Sequence, residues 1–218
     1  MCTKDKSVIF DMDGVLVDSE PVINQAAIQG LREFGVESKP EDFIPFIGAG
    51  EDRYIGCVAQ KHGTKYKVEM KNRVYEIYLN IVKDNIKVYE GIHSLLDNLV
   101  KDGYKIGLAS SADMIKVEAN LAAAQISPNI FSVLISGDDV ENKKPSPDIY
   151  ILAAKKIGAN PSCCTVIEDA LNGIEAAKRA GMRCIGVATS FDKHQLLNAG
   201  ADKACDSAKE LYESIIKL

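Results

Sequence analysis

The most constraining feature of this sequence is the uneven spacing of its short apolar runs, which are rich in valine and isoleucine. Runs of this kind are typical of strands that are buried on both faces of a parallel sheet. The last four runs follow one another at intervals that suit β-α-β units, whereas roughly ninety residues separate the first run from the second. A structureless connection of that length would be implausible. We predict strands at residues 7–10, 105–109, 132–136, 164–167 and 184–188.

Between and after these runs, apolar residues recur every three or four positions, as they do on the buried face of a helix. The alternation of strands and helices predicts an α/β fold, a Rossmann-like parallel sheet flanked by helices with right-handed crossovers. The helical stripes are Ile92, Leu95, Leu96, Leu99 and Val100; Met114, Val117, Leu121 and Ala124; Ile149, Leu152, Ala153 and Ile157; and Ala208, Leu211, Tyr212 and Ile215.

The long connection after the first run has helical periodicity of its own and no strand pattern. We therefore predict an inserted all-helical cap domain at residues 19–87, and an α/β core domain made of residues 1–18 and 88–218. The joints near residues 18–21 and 85–91 are the expected hinges. The periodic positions are Ile23, Ala26, Ala27, Leu31 and Phe34, followed by Val74, Ile77, Tyr78 and Ile81.

Composition excludes several classes of partner. The chain has 26 Lys and Arg against 31 Asp and Glu, a net charge of −5, which argues against binding to nucleic acid or to an anionic membrane. The longest uncharged stretch, residues 119–137, contains too many polar residues to span a bilayer. The six cysteines lack the spacing of a metal site, and no signal peptide is visible. We expect a cytoplasmic monomer.

Polar and charged residues lie at the ends of the predicted strands or in the segments that follow them. In an open α/β sheet, ligands bind outside the carboxyl ends of the strands, so these residues should meet at one rim. They are Asp11 and Asp13 after the first strand, Ser110 and Ser111 after the second, Lys144 after the third, and Glu168 with Asp169 at the fourth.

This combination of side chains predicts phosphoryl chemistry. Four carboxylates in one pocket would raise each other's pKa unless a cation compensates them, and a site of oxygen ligands with few protein donors suits Mg²⁺. Ser110, its neighbouring backbone N–H groups and the Lys144 ammonium are suited to hold phosphate oxygens. One aspartate can attack phosphorus while the aspartate two residues away handles the proton of the leaving oxygen.

Four segments that carry these residues resemble the four motifs of the haloacid dehalogenase superfamily. The likeness is to its β-phosphoglucomutase-like phosphatases with a helical cap, and it covers essentially the whole chain, including the position of the cap. The segments, in chain order, are DMDGVLVDSE, GLASSAD, KKPSPDIY and VIEDALNGIEAAKRAGM.

The resemblance implies a role for each catalytic residue. Asp11 is similar to the nucleophile that forms an aspartyl-phosphate and also ligates Mg²⁺. Asp13 is similar to the general acid and base, and its main-chain carbonyl would be a further Mg²⁺ ligand. Lys144 matches the lysine that neutralises the phosphoryl group and the nucleophile, whereas we expect Lys143 to be solvated.

The resemblance also implies the binding residues. Asp169 matches the metal-binding carboxylate, with Glu168 as a further ligand or as its neighbour. Ser110 matches the phosphate-binding residue of the second motif, and Ser111 is assigned to the phosphate with it. In the cap, Arg53 is a candidate for a second anionic group of the substrate, the alternative being a surface arginine paired with Glu51 or Asp52. Weaker candidates are Glu20 and Asn24.

Three functions remain open at this point. Dehalogenases of this fold lack an acid at the position of Asp13, since a halide needs no proton, so its presence favours a phosphatase acting on a small phosphorylated metabolite. A sugar phosphomutase is the alternative. β-Phosphoglucomutases, however, carry a histidine at the position of Ile23 and usually a serine at that of Ala170. A non-catalytic module that binds a phosphorylated ligand is less favoured, because all four motifs are intact.

Overall fold

A computed structural model describes residues 6–217; residues 1–5 and 218, which the predicted core domain includes, lie outside the described part. Eight strands occur in the described part: β1 Ser7–Phe10, β2 Val17–Asp18, β3 Lys87–Val88, β4 Lys105–Ala109, β5 Val133–Ile135, β6 Cys164–Glu168, β7 Arg183–Val187 and β8 Lys203–Cys205. Its α-helices are α1 Glu20–Arg32, α2 Glu51–Lys61, α3 Val68–Asn85, α4 Ile92–Lys101, α5 Met114–Ala123, α6 Asp148–Ile157, α7 Leu171–Arg179, α8 Lys193–Asn198 and α9 Ala208–Ile216.

Six of the strands form one parallel sheet in the order β5-β4-β1-β6-β7-β8. The predicted α/β fold is confirmed, and each of the five predicted strands lies within one residue of its observed bounds. Strand β1 is central, and Phe10 at its end is in register with Leu108 on one side and Ile167 on the other. The ends of β1, β4 and β6 therefore lie side by side, which brings the residues that follow them to one edge.

Alternate residues of each strand face opposite layers of helices, because successive side chains of a strand point to opposite faces. Val8 and Phe10 pack with α4, α5 and α9 in one apolar cluster. Ile9 packs with α6, α7 and α8 in another cluster on the opposite face. Both faces of the sheet are thus covered, which explains why its strands are nearly continuous apolar runs.

Helices α1, α2 and α3 lie between β2 and β3 and share a third apolar cluster, to which Leu31, Ile55 and Tyr78 contribute without exposed surface. We refer to residues 19–87 as the helical insertion. Strands β2 and β3 pair antiparallel, so the chain leaves and re-enters the sheet layer side by side. None of the helices within residues 6–217 is both long and apolar enough to cross a membrane.

The packing of α8 against the sheet predicts unequal effects for two adjacent leucines. Leu196 is fully buried under β7, whereas 48% of Leu197 is exposed. Leu196→Ala should lower the free energy of unfolding by about 2–5 kcal/mol, because it leaves a cavity in a packed layer. Leu197→Ala is the matched control and should change it by less than about 0.5 kcal/mol. Urea unfolding measures both, and equal losses would contradict the described packing.

Candidate active site

A buried lysine joins the ends of two neighbouring strands. The backbone N–H of Asp11, just after β1, donates to the carbonyl of Ile167 at 2.9 Å, which places Asp11 beside Glu168 at the end of β6. Lys144 Nζ lies 2.5 Å from Asp11 Oδ1 and 2.6 Å from Glu168 Oε1. Only 2% of Lys144 is exposed, so its charge is balanced by these two carboxylates rather than by water.

Glu168 is held at both carboxylate oxygens by protein donors. Oε1 accepts from Lys144 and from the Tyr150 hydroxyl at 2.8 Å, while Oε2 accepts from the backbone N–H groups of Asp169 and Ala170 at 2.9 and 2.8 Å. A Cβ atom at Gly173 would lie 1.7 Å from Glu168 Oε1. The first turn of α7 can therefore approach this carboxylate only because position 173 is glycine.

Asp13 is surrounded by four donors. Its Oδ1 accepts from the Ser19 hydroxyl and, at 3.1 Å, from Asn120 Nδ2. Its Oδ2 lies 3.1 Å from Lys116 Nζ and 3.4 Å from Ser110 Oγ. These contacts fix the orientation of a carboxyl group that is still 27% exposed to the cavity described below.

Ion pairs connect the helical insertion to this site. Lys116 Nζ, on α5, lies 3.0 Å from Glu51 Oε1 in the first turn of α2, and only 4% of Lys116 is exposed. Burial alone would lower the pKa of Lys116, but the carboxylates of Asp13 and Glu51 outweigh it and raise the pKa well above its ordinary value. The charged Lys116 side chain thus contacts Asp13 on one side and the insertion on the other.

Negative charge exceeds positive charge where β1 and β6 end. Asp11, Glu168 and Asp169 lie around a single ammonium group, that of Lys144. Burial raises the pKa of Asp11 to about 7, with Glu168 and Asp13 adding to the rise and Lys144 opposing it. Burial, then the charges of Glu168 and Asp11, raises the pKa of Asp169 well above its ordinary value. Among the described residues, the carboxylates where β1 and β6 end therefore outnumber the ammonium groups.

The side chains alone do not form a complete metal site. In residues 6–217, no cluster of three or more His, Cys, Asp and Glu side chains is arranged to hold a metal ion. Glu168 has both oxygens engaged, which leaves the carboxylates of Asp11 and Asp169, the latter accepting from Ser190 Oγ. These two carboxylates, together with the main-chain carbonyl oxygen of Asp13, would fit a cation that completes its shell with water and substrate oxygens, as Mg²⁺ does.

A cavity of about 630 Å³ lies between the strand ends and the helical insertion. One wall carries the acidic residues at the ends of β1 and β6, and the opposite wall comes from α1, from the segment that follows it and from the start of α2. Its lining includes Asp11, Asp13, Ser110, Ser111, Lys116, Glu168, Asp169 and Ser190 on the first side, and Glu20, Ile23, Asn24, Glu41, Ile44, Phe46, Ile47, Glu51 and Tyr54 on the second.

The structure places most of the predicted site residues together, and the differences concern Arg53 and Lys143. Ser111 lines the cavity, and its buried Oγ has no hydrogen-bond partner among the described residues. Arg53 is exposed and is not part of the cavity lining, because α2 turns it toward solvent. Lys143 is not simply solvated as predicted: it is half-buried, donates to the Ser111 carbonyl at 3.3 Å and lies 3.7 Å from Asp113.

Several residues that hold Asp13 were not among the predicted site residues. Ser19 belongs to the hinge segment, and Lys116 and Asn120 lie on α5, on the flank of its apolar stripe. Their spacing of four residues puts both on one face of that helix. A buried lysine and asparagine on one face would have been a usable signal, but their burial depends on how the insertion packs over α5.

Proteins of known family are similar to this chain in sequence and in structure. The family of haloacid dehalogenase-like hydrolases matches residues 8–187. "Protein SUPPRESSOR OF QUENCHING 1, chloroplastic" of Arabidopsis thaliana is 44% identical over 90% of this chain, but the match covers only 19% of that protein. "Phosphorylated carbohydrates phosphatase" of Thermotoga maritima is 32% identical, covering 90% of this chain and 92% of the relative. A further plant relative is matched over 54% of its length.

A solved structure with the same fold is that of a CbbY variant from Rhodobacter sphaeroides in complex with xylulose-1,5-bisphosphate. It is 27% identical, has a TM-score of 0.83, and the match covers 95% of this chain and 96% of that one. The present chain belongs to the haloacid dehalogenase-like hydrolases, and it groups with the phosphatases among them, as its four motifs predicted. Since one similar relative is chloroplastic, a cytoplasmic location stays a prediction.

The contact between Gly173 and Glu168 predicts a local defect. Gly173→Ala should lower the free energy of unfolding by at least about 2 kcal/mol, because the added methyl group displaces Glu168 and leaves Lys144 with an incomplete set of partners. Glu175→Ala, on the exposed side of the same helix, is the control and should cost no more than about 0.5 kcal/mol. A Gly173→Ala protein as stable as the control would show that this contact is unimportant.

Proposed function

We propose that this protein is a Mg²⁺-dependent phosphatase that hydrolyses a small phosphorylated metabolite, such as a sugar phosphate, through an aspartyl-phosphate at Asp11. The observation that carries the proposal is the pairing of buried Asp11 with Lys144. The partly exposed carboxyl group of Asp13 lines the same cavity as Asp11. The name of the Thermotoga maritima relative, which is a phosphatase of phosphorylated carbohydrates, supports the substrate class.

Asp11 is suited to be the nucleophile. Lys144 occupies Oδ1, and Oδ2 forms no hydrogen bond with the described residues, so this oxygen is available to attack phosphorus. The bond between phosphorus and the leaving oxygen breaks as the bond to Asp11 Oδ2 forms. Lys144 balances charge on Asp11 and on the incoming phosphoryl group. Ser110 and the unpartnered Ser111 hydroxyl provide donors for the remaining phosphate oxygens.

Asp13 is suited to move protons in both steps. In the first step it gives a proton to the leaving oxygen, which departs as an alcohol. In the second step it takes a proton from a water molecule that attacks phosphorus of the aspartyl-phosphate, releasing phosphate and restoring Asp11. Ser19 and Asn120 hold one oxygen of Asp13 and Lys116 the other, so the carboxyl group keeps one orientation.

The proposed metal ion is Mg²⁺, held by the carboxylates of Asp11 and Asp169 and by the main-chain carbonyl of Asp13. When bound, it supplies positive charge that offsets the excess of carboxylates and polarises the phosphoryl group. In this proposal Glu168 orients Lys144 and the turn after β6 rather than serving as a ligand, because protein donors engage both of its oxygens.

Hydrolysis is favoured over phosphoryl transfer between two positions of a sugar. Ile23, at the position where β-phosphoglucomutases carry a histidine, lines the cavity and is 97% buried. The lining formed by the described residues contains no histidine. The insertion therefore offers no imidazole to a second hydroxyl group of a bound sugar, and water is the acceptor that we propose.

The division into a core of residues 1–18 and 88–218 and a cap of residues 19–87 is part of this proposal. It is supported by the separate apolar cluster of α1–α3 and by the pairing of β2 with β3 where the chain crosses. In this arrangement the cap covers the cavity and limits the access of water to the phosphorylated aspartate.

Replacement of the proposed nucleophile tests the covalent mechanism. Asp11→Asn should lower kcat for phosphate release from p-nitrophenyl phosphate with Mg²⁺ by at least about a thousandfold, because an amide oxygen is a poor nucleophile. Asp84→Asn, at an exposed position of α3, is the control and should keep normal turnover. Full activity of Asp11→Asn, with an unchanged circular dichroism spectrum, would contradict the mechanism.

Metal binding can be tested without turnover. In thermal unfolding, 10 mM MgCl₂ should raise the Tm of the wild-type protein by about 3 °C or more over EDTA, since a ligand that binds only the folded state stabilises it. Asp169→Asn should abolish the increase, whereas Asp84→Asn should retain it. An increase that is the same in all three proteins would locate the ion elsewhere.

A further inference from the structure

The wall of the cavity opposite Asp11 is acidic. The helical insertion and its hinge contribute Asp18, Glu20, Glu41 and Glu51 to the lining. Among the described residues that line the cavity, the only basic side chain is that of Lys116. A substrate bound by its phosphate at Asp11 would extend the rest of its structure toward carboxylates.

Lys116 is not available to a second anionic group. Its Nζ lies 3.0 Å from Glu51 Oε1 and 3.1 Å from Asp13 Oδ2, and only 4% of the residue is exposed. The same ammonium group lies 5.7 Å from the centre of the Tyr78 ring, which covers it from the insertion side. A carboxylate or second phosphate would have to displace Glu51 to reach this cation.

The N-terminus of α2 cannot supply the positive charge that a second anionic group would need. A helix N-terminus favours negative charge, but the first turn of α2 already carries Glu51 and Asp52. Arg53, which follows them, is exposed and outside the lining. The end of the helix that faces the cavity therefore presents a carboxylate that is already paired with Lys116.

The rest of the wall suits hydroxyl groups and C–H surfaces. Tyr54 donates its hydroxyl to Glu20 Oε1 at 2.5 Å and accepts from Asn24 Nδ2 at 3.2 Å, which leaves Glu20 Oε2 without a partner among the described residues. A carboxylate oxygen that lines a pocket is a strong acceptor for alcohol O–H groups. Ile23, Ile44, Phe46 and Ile47 supply apolar surface around it.

We propose that this cavity selects phosphomonoesters whose leaving group is an uncharged alcohol with several hydroxyl groups, and rejects those with a second anionic group. This inference rests on the proposed phosphatase function and adds the chemical class of the leaving group. It separates this chain from the similar CbbY structure, whose ligand is a bisphosphate.

Matched substrate pairs provide the test. Glucitol 6-phosphate and 6-phosphogluconate differ by one terminal group, a CH₂OH against a carboxylate, and fructose 6-phosphate and fructose 1,6-bisphosphate differ by one phosphate. With Mg²⁺, kcat/KM for phosphate release should be at least about tenfold higher for the first member of each pair, since an anion placed beside carboxylates is strongly disfavoured. Equal values, or higher values for the second members, would overturn the inference.

A charge reversal on the wall makes the test specific. Glu41→Lys should narrow the ratio of kcat/KM within each pair by several fold, because it replaces one carboxylate of the acidic wall by a cation. Glu37→Lys is the matched control, since Glu37 is exposed and outside the lining, and it should leave the ratio unchanged. Equal narrowing in both variants would show a general effect of net charge and would overturn the assignment to this wall.

A second variant provides a test if the Glu41→Lys protein folds poorly. Glu20→Gln should raise KM for glucitol 6-phosphate more than for 6-phosphogluconate, because the amide is a weaker acceptor and no longer repels the carboxylate. Equal changes for both substrates would overturn the role of Glu20. If no member of either pair and no p-nitrophenyl phosphate is hydrolysed, the proposed phosphatase function fails and this inference with it. If all are hydrolysed at similar rates, only the inference fails.

Discussion

A buried ammonium group between two carboxylates is the interaction on which the rest of the site depends. Lys144 comes from the segment before α6, Asp11 from the end of β1 and Glu168 from the end of β6, so three distant parts of the chain must arrive together. Removing one partner from such a buried pair costs about 3–5 kcal/mol, because the other charge is left without compensation. The parallel register of β1 and β6 fixes two of the three groups. Tyr150 and the turn after β6 then orient Glu168.

A second buried lysine links the proposed chemistry to the proposed recognition of substrate. Lys116 contacts Asp13, the proposed acid and base, and Glu51, a residue of the helical insertion. The orientation of Asp13 therefore depends on the insertion being packed against α5. The same pairing engages the basic side chain that lines the cavity within the described part of the chain, so the proposed choice of substrate is linked to the position of the insertion.

The sequence predicted the parts of the fold that local pattern determines. The five strands that were predicted are short apolar runs, whereas β8, Lys203–Cys205, contains no valine or isoleucine, and β2 and β3 have two residues each, too few to show a pattern. At the site, Asp11, Asp13, Lys144 and Asp169 could be predicted because strand ends and motif spacing place them. Lys116 and Glu51 could not, because what matters about them is their contact across the packing of α2 on α5, which no local pattern encodes. Arg53 was predicted to contact the substrate because of its place in the cap, but on α2 its side chain is exposed to solvent.

The pairing of β2 with β3 has a consequence for how the chain tolerates its insertion. Val17 lies opposite Val88 and Asp18 opposite Lys87, so the two ends of a long excursion are held together like the two strands of a hairpin. The entropy of closing a loop grows only slowly with its length once the ends are fixed. For the sheet layer, the excursion therefore resembles a tight connection between β1 and α4. Its helices can gain or lose turns, or be exchanged for others, with little strain on the strand register that brings Asp11, Lys144 and Glu168 together.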